Sequence, residues 1–248
     1  DHRSFPEPAM RVAIVSDIHG NLTALEAVLA DLRQTAPDLI LHGGDLADSG
    51  ASPAEVVDRI RALGWQGVAG NGEQMLSTPQ TFEDFAAKSP ALQPLFAVIG
   101  EVAAATREKL GDDRIAWLHS QPLAHIEPTF ALVHASPGHP WRAPAPEATD
   151  AELEAAYAPL DRPTVVYAHI HRAHVRCVNG MTVANTGSVS LSFDRDPRAA
   201  YLLLDDGAPT IRRVEYDLDK ELHLLANSGL PHADWLAKTL KTARPQMP

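Results

Sequence analysis

Short apolar runs alternate with stretches carrying an apolar residue every third or fourth position along the first two-thirds of the chain. Val12-Ala13-Ile14-Val15 predicts a buried strand over Arg11–Ser16. Leu22, Leu25, Val28, Leu29 and Leu32 then predict a helix over Leu22–Gln34. Further strands are expected at Leu39–Leu41, Trp65–Ala69, Phe130–Val133 and Val165–Ala168. A second helix is expected at Pro53–Leu63, with Ser52 as N-cap, Pro53 in the first turn and Glu55 closing a capping box. Strand–helix–strand alternation implies right-handed crossovers and a mostly parallel sheet.

Between Glu73 and Pro122 the strand pattern gives way to helical spacing, over Ala91–Leu110 and Asp112–Ser120. This stretch, 73–122, reads as a helical insertion over one sheet edge. Residues 136–149 hold four prolines and no periodicity, so a loop is expected. Beyond Val165 the chain turns strand-rich, at His174–Val178, Met181–Ala184, Ala200–Leu204 and Thr210–Tyr216. Asn179-Gly180 is a hairpin signal, and Asp205-Asp206-Gly207 reads as another hairpin turn. Helices over Leu218–Ala226 and His232–Thr242 close the chain. Residues 1–9 are polar and Pro-containing, a loose leader by this reading, and 10–248 read as one domain.

Composition adds limits. A 45% hydrophobic content over 248 residues supports a real core. No apolar run reaches the roughly 20 residues of a membrane span, and the leader lacks an apolar signal segment. The single cysteine, Cys177, rules out an intramolecular disulfide and fits a cytoplasmic location. A formal charge of −11 argues against a binder of long nucleic acid. It also makes any anionic substrate dependent on bound cations. Oligomerisation stays open.

The chemistry gathers where strands end. Asp17 and His19 follow the first strand, Gly43-Gly44-Asp45 the second and Gly70-Asn71 the third. His134 follows the fourth, and His169-Ile170-His171 the fifth. In open α/β sheets, sites form at the carboxyl ends of strands. Two Asp, one Asn and four His on one rim suit two borderline divalent metals, since carboxylates bridge and imidazoles supply nitrogen. Such a pair, about 3.5–4 Å apart, activates water and clamps a phosphoryl group.

The order Asp-x-His, Gly-Asp, Gly-Asn, His, His-x-His resembles the calcineurin-like metallophosphoesterases. Asn185-Thr186-Gly187-Ser188-Val189 resembles a loop of their small bacterial phosphodiesterase branch. The resemblance implies an α/β fold, a four-layer αββα sandwich of two mixed sheets. It implies two divalent transition metal ions (Mn, Fe, Zn, Ni or Co). Asp17, His19 and His171 would hold the first, Asn71, His134 and His169 the second, and Asp45 would bridge both. A metal-bridging hydroxide would attack phosphorus in a small phosphorylated substrate, a nucleotide or cyclic nucleotide, as a phosphodiesterase. The alternatives are a phosphomonoesterase, a dinucleoside polyphosphate hydrolase, or a non-catalytic scaffold of the same fold.

The chain also departs from the family pattern. Many members read Gly-Asn-His at the third motif, and that His is the usual proton donor to the leaving group. Here the position is Gly72, which donates nothing, so Gly72→His is expected to raise monoesterase activity. Ser49 stands where protein phosphatases carry a phosphate-gripping Arg, and Arg142, Arg172 and Arg195 are candidate replacements. Glu73, His139, Arg142 and Asn185 are further candidates for contacts to substrate or ligands.

Overall fold

A computed structural model describes residues 10–248, and the expected leader at 1–9 lies outside them. Two five-stranded sheets stack face to face. The first contains β1 (Arg11–Val15), β2 (Leu39–His42), β3 (Gln66–Gly67), β9 (Ala199–Asp205) and β10 (Ala208–Val214), in the order β10-β9-β1-β2-β3. The second contains β4 (Ala124–Ile126), β5 (Phe130–Val133), β6 (Thr164–Tyr167), β7 (His174–Val178) and β8 (Met181–Asn185), in the order β4-β5-β6-β8-β7. Each sheet is mixed. β1, β2 and β3 run parallel, as do β5, β6 and β8, with antiparallel strands outside each trio.

Strand periodicity sorts the core into layers. Val12 and Ile14 of β1 and Leu202 and Leu204 of β9 face the second sheet, meeting Phe130, Leu132 and Val166. Their neighbours Ala13, Val15, Tyr201 and Leu203 point the other way, onto helices. Those helices include α1 (Leu22–Thr35) and α2 (Pro53–Leu63). On the far side, Val165, Tyr167 and Val183 pack against Leu153 and Tyr157 of α6 (Asp150–Tyr157). The four layers are therefore helix, sheet, sheet, helix.

Several local expectations change. β3 covers only Gln66–Gly67, because beyond the His42 carbonyl its next amide, Ala69 N, pairs with Pro122 O rather than with β2. The capping box at Ser52 does not form. The Ser52 N–H donates to Gly20 O at 2.8 Å, so the atom Glu55 would have satisfied is already engaged. β4 and α6 were not legible as elements. Yet α6 carries its own capping box, with Thr149 Oγ1 accepting from Glu152 N and the Glu152 carboxylate accepting from Thr149 N. Both glycine hairpins form: Asn179-Gly180 and Asp206-Gly207 take positive φ between paired strands.

The helical stretch comprises α3 (Asn71–Ser77), α4 (Pro79–Ala86) and α5 (Gln93–His119). Two closing helices follow β10, α7 (Leu218–Ala226) and α8 (Ala233–Thr242). α5 is broken at Gly111 (φ 72°, ψ 166°), the point where the sequence pattern separates two helices. The loop at 136–149 is packed down through Trp141, which stacks on Phe82 and Phe85 of α4.

Candidate metal centre

The parallel strands of both sheets point their carboxyl ends at one place. There the loops zip together through backbone hydrogen bonds: Asp17 N to Gly44 O, His19 N to Asp45 O and Gly20 N to Leu46 O, at 2.9–3.0 Å. Ala168 N donates to His134 O, and Ser190 N to Asp17 O. The loops approach so closely that a Cβ on Gly44 (φ 88°) would lie 2.5 Å from Gly70 N. Asp17, His19, Asp45, His169 and His171 all hold positive φ, an uncommon conformation for side-chain-bearing residues and one concentrated at functional sites. The helix cap at this turn is Asn21, whose Oδ1 accepts from Ala24 N, so Asp17 and His19 are free for other work.

Two groups of ligand atoms result, each within 4.8 Å: Asp17, His19, Asp45 and His171, and Asp45, His134 and His169. Asn71 joins the second group, with Oδ1 at 2.8 Å from His169 Nδ1 and 3.1 Å from His134 Nε2. Asp45 Oδ2 stands between the groups, 3.9 Å from His19 Nε2 and 3.4 Å from His134 Nε2. Its Oδ1 accepts from Gly72 N at 2.7 Å, which fixes the carboxylate plane.

The imidazoles are aimed from behind. His134 Nδ1 donates to Gly43 O and His171 Nδ1 to Leu191 O, both at 2.7 Å. His19 Nδ1 faces Asp48 Oδ2 at 3.1 Å. Each arrangement leaves Nε2 pointing inward. His19 Nε2 and His171 Nε2 lie 3.2 Å apart, and Asp17 Oδ1, buried without a hydrogen-bond partner, is 3.2 Å from His171 Nε2. Acceptors gathered this closely suit a cation among them, and this donor set fits divalent metal. Burial opposes charge on His19 and His134, but the converging carboxylates outweigh it and push them up to about 10 and about 9. His169 goes down to about 4, through burial and then its neighbour His134. Asp45 is held far below the carboxylate range, its burial outweighed by His134 and His19.

Other candidates land elsewhere. Glu73 lies behind the ligands: its carboxylate accepts from Asp45 N, Leu46 N and Gly70 N, tying the two glycine-rich loops together. Burial, and then Asp45, push it up to about 7. Asn185 contacts no substrate space. It is fully buried, donating to Ala168 O beside His169 and accepting from Gly187 N. His139 and Arg142 do not reach the cluster. They line a separate groove, divided from it by Phe85 and Trp141. None of Arg142, Arg172 and Arg195 lines the cavity at the cluster. His42 is buried against Gln121 and plays no part in the ligand set.

The residue that sequence reasoning missed is Asp48. It is buried, it orients His19, and its Oδ1 has no hydrogen-bond partner among the described residues. Its position three residues after Asp45 was the available signal. A Cβ on Gly72 would come within 2.3 Å of that Oδ1. A side chain at position 72 therefore requires the Asp48 carboxylate to shift, so Gly72→His would disturb the group that orients His19 as it added a proton donor.

The model of the calcineurin-like phosphoesterase superfamily domain matches residues 10–207. The chain belongs to that superfamily. Membership makes it a phosphoric ester hydrolase with a cluster suited to metal. The crystal structure of a metallophosphoesterase from Sphaerobacter thermophilus superposes with a TM-score of 0.75 at 27% identity, covering 95% of this chain and 99% of that one. Two relatives match over part of their length. A symmetrical bis(5'-nucleosyl)-tetraphosphatase of Methylococcus capsulatus is 29% identical, covering 61% of this chain and 52% of its own. A probable cyclic nucleotide phosphodiesterase of Synechococcus is 28% identical, covering 45% and 47%. Among the described residues no helix is long and apolar enough to cross a membrane.

Proposed function

We propose that this superfamily member hydrolyses phosphodiesters, using two divalent transition metal ions. Asp17, His19 and His171 would hold one, Asn71, His134 and His169 the other, and Asp45 would bridge them. The sharing of Asp45 Oδ2 between the two ligand groups carries this reading. Nitrogen-rich donors favour Mn, Fe, Zn, Ni or Co over Mg. Bound there, such ions supply Lewis acidity toward a phosphoryl oxygen and water acidic enough to act as nucleophile at neutral pH. The protein's share is to fix the ligand planes, through Gly43, Leu191, Asp48 and Gly72, and to keep the ligands buried.

Two features favour a diester over a monoester. Gly72 offers no proton to a poor leaving group, which disfavours esters that depend on a general acid worth about 10²–10⁴-fold. Among the described residues no Lys or Arg lines the cavity, so a single negative charge is better matched than a dianion or a polyphosphate. A cyclic nucleotide carries one phosphate and fits this limit. The tetraphosphatase relative supports the rival reading, but among the described residues the cavity has no Lys or Arg for further phosphates.

The test compares p-nitrophenyl phosphate with bis(p-nitrophenyl) phosphate after loading with Mn. The diester is expected to turn over faster, and a far faster monoester would reverse the assignment. Asp45→Asn is expected to lower diester turnover by about 10³-fold or more. Less than one metal per chain after loading, with no hydrolysis, would indicate a scaffold.

A further inference from the structure

A cavity of about 430 Å³ opens directly from the ligand cluster. One end is His19, Asp45, Asn71, His169 and His171; the rest of its wall is almost all carbon. Phe82, Phe85, Phe96 and Trp141 form an aromatic cluster with ring centroids 5.0–6.0 Å apart. Phe193 stacks on His171 at 4.6 Å, so the apolar wall begins against a ligand ring.

The hydrogen-bond donors of the lining outside the ligand cluster are already engaged. Trp141 Nε1 donates to Gln74 Oε1, Ser49 Oγ to Asp48, Thr239 Oγ1 to Trp235 O, and Gln246 Nε2 to Thr242 Oγ1. A nucleobase buried there would find no free donor for its ring nitrogens and carbonyls, at a cost of about 1–3 kcal/mol for each acceptor left unpaired. A hydrocarbon or simple aryl group has nothing to leave unpaired. Asp48 at the inner end disfavours a second phosphate beyond the cluster, and among the described residues no Lys or Arg lines the cavity to offset it.

We propose that this cavity takes an uncharged alkyl or aryl substituent of a diester whose single phosphate sits at the cluster. This rests on the phosphodiesterase reading and narrows its substrate from nucleotides to apolar esters. In the reaction, a water oxygen bonds to phosphorus and one P–O ester bond breaks. The departing oxygen leaves as the alcohol or phenol after taking up a proton from solvent, and a phosphomonoester remains.

The experiment uses p-nitrophenyl alkyl phosphates with the alkyl group lengthened from methyl to decyl, and 3′,5′-cyclic nucleotides for comparison. kcat/KM of the metal-loaded protein is expected to rise by up to about fourfold per methylene, until the cavity is full. Ile99→Asp, which places a carboxylate in the wall, is expected to flatten that rise. Independently of turnover, 1-octanol, an uncharged probe that needs no cation, is titrated into chelator-treated wild-type protein. It is expected to change tryptophan fluorescence saturably, because Trp141 and Trp235 line the cavity. Hydrolysis that ignores chain length, or cyclic nucleotides outpacing every alkyl ester, overturns the apolar assignment and leaves diester hydrolysis standing. Saturable binding with no hydrolysis at full metal occupancy overturns the hydrolysis and supports the apolar ligand.

Discussion

Asp48 and His42 show how little a residue's identity says until its neighbours are known. Asp48 holds His19 from behind, so Asp48→Asn is expected to weaken metal binding by about 10–100-fold, read by competition with a chelating dye. The same carboxylate crowds position 72. Gly72→Ala is expected to cost about 1–3 kcal/mol in urea unfolding, with no gain in monoester hydrolysis. His42 carries a pH dependence. Burial pushes it down to about 4, against the ordinary 6.5 of the unfolded chain. Between those values the unfolded state binds a proton that the folded state refuses, so stability falls as pH drops through this window. The loss reaches about 3 kcal/mol at its lower end. Urea midpoints of wild type and His42→Gln from pH 7 to pH 4 would show it: the variant should lose this part of the slope.

At the scale of elements, the strands and the first two helices follow from apolar spacing, since β1 and α1 each bury one continuous pattern. The misses have local causes. β4 is a three-residue edge strand with Ile126 exposed, so no alternation marks it. α6 has a weak apolar face and is announced chiefly by its Thr149–Glu152 cap. Thr149→Ala should remove about 1 kcal/mol of stability, measurable in chemical denaturation. Gly111 separates the two halves of α5 with a backbone conformation open essentially to glycine alone. Gly111→Ala is expected to cost about 1–3 kcal/mol although its Cβ would meet nothing within 4 Å. A smaller effect in calorimetry would mean the break relaxes into continuous helix.

Taken as a whole, the molecule spends two sheets on bringing distant residues together: Asp17 and His171 are 154 positions apart in the chain, and their side chains meet within 3.2 Å. Buried acceptors concentrated at one rim make the fold sensitive to metal. Chelator treatment is expected to lower the melting temperature, and Asp17→Asn should abolish most of the response. For a single site at a hundred times its dissociation constant, linkage gives about 2.7 kcal/mol. Apart from β4 and α6, the order of strands and helices, the carboxylates and imidazoles at the strand ends and the absent proton donor at position 72 were determined by the sequence itself, because they depend on local pattern and residue type. The aim of each imidazole, the shared oxygen of Asp45, the crowding by Asp48 and the carbon-walled cavity were decided only by tertiary structure. Those properties arise from backbone carbonyls and side chains that approach one another across loops from both sheets, and no local pattern encodes such contacts.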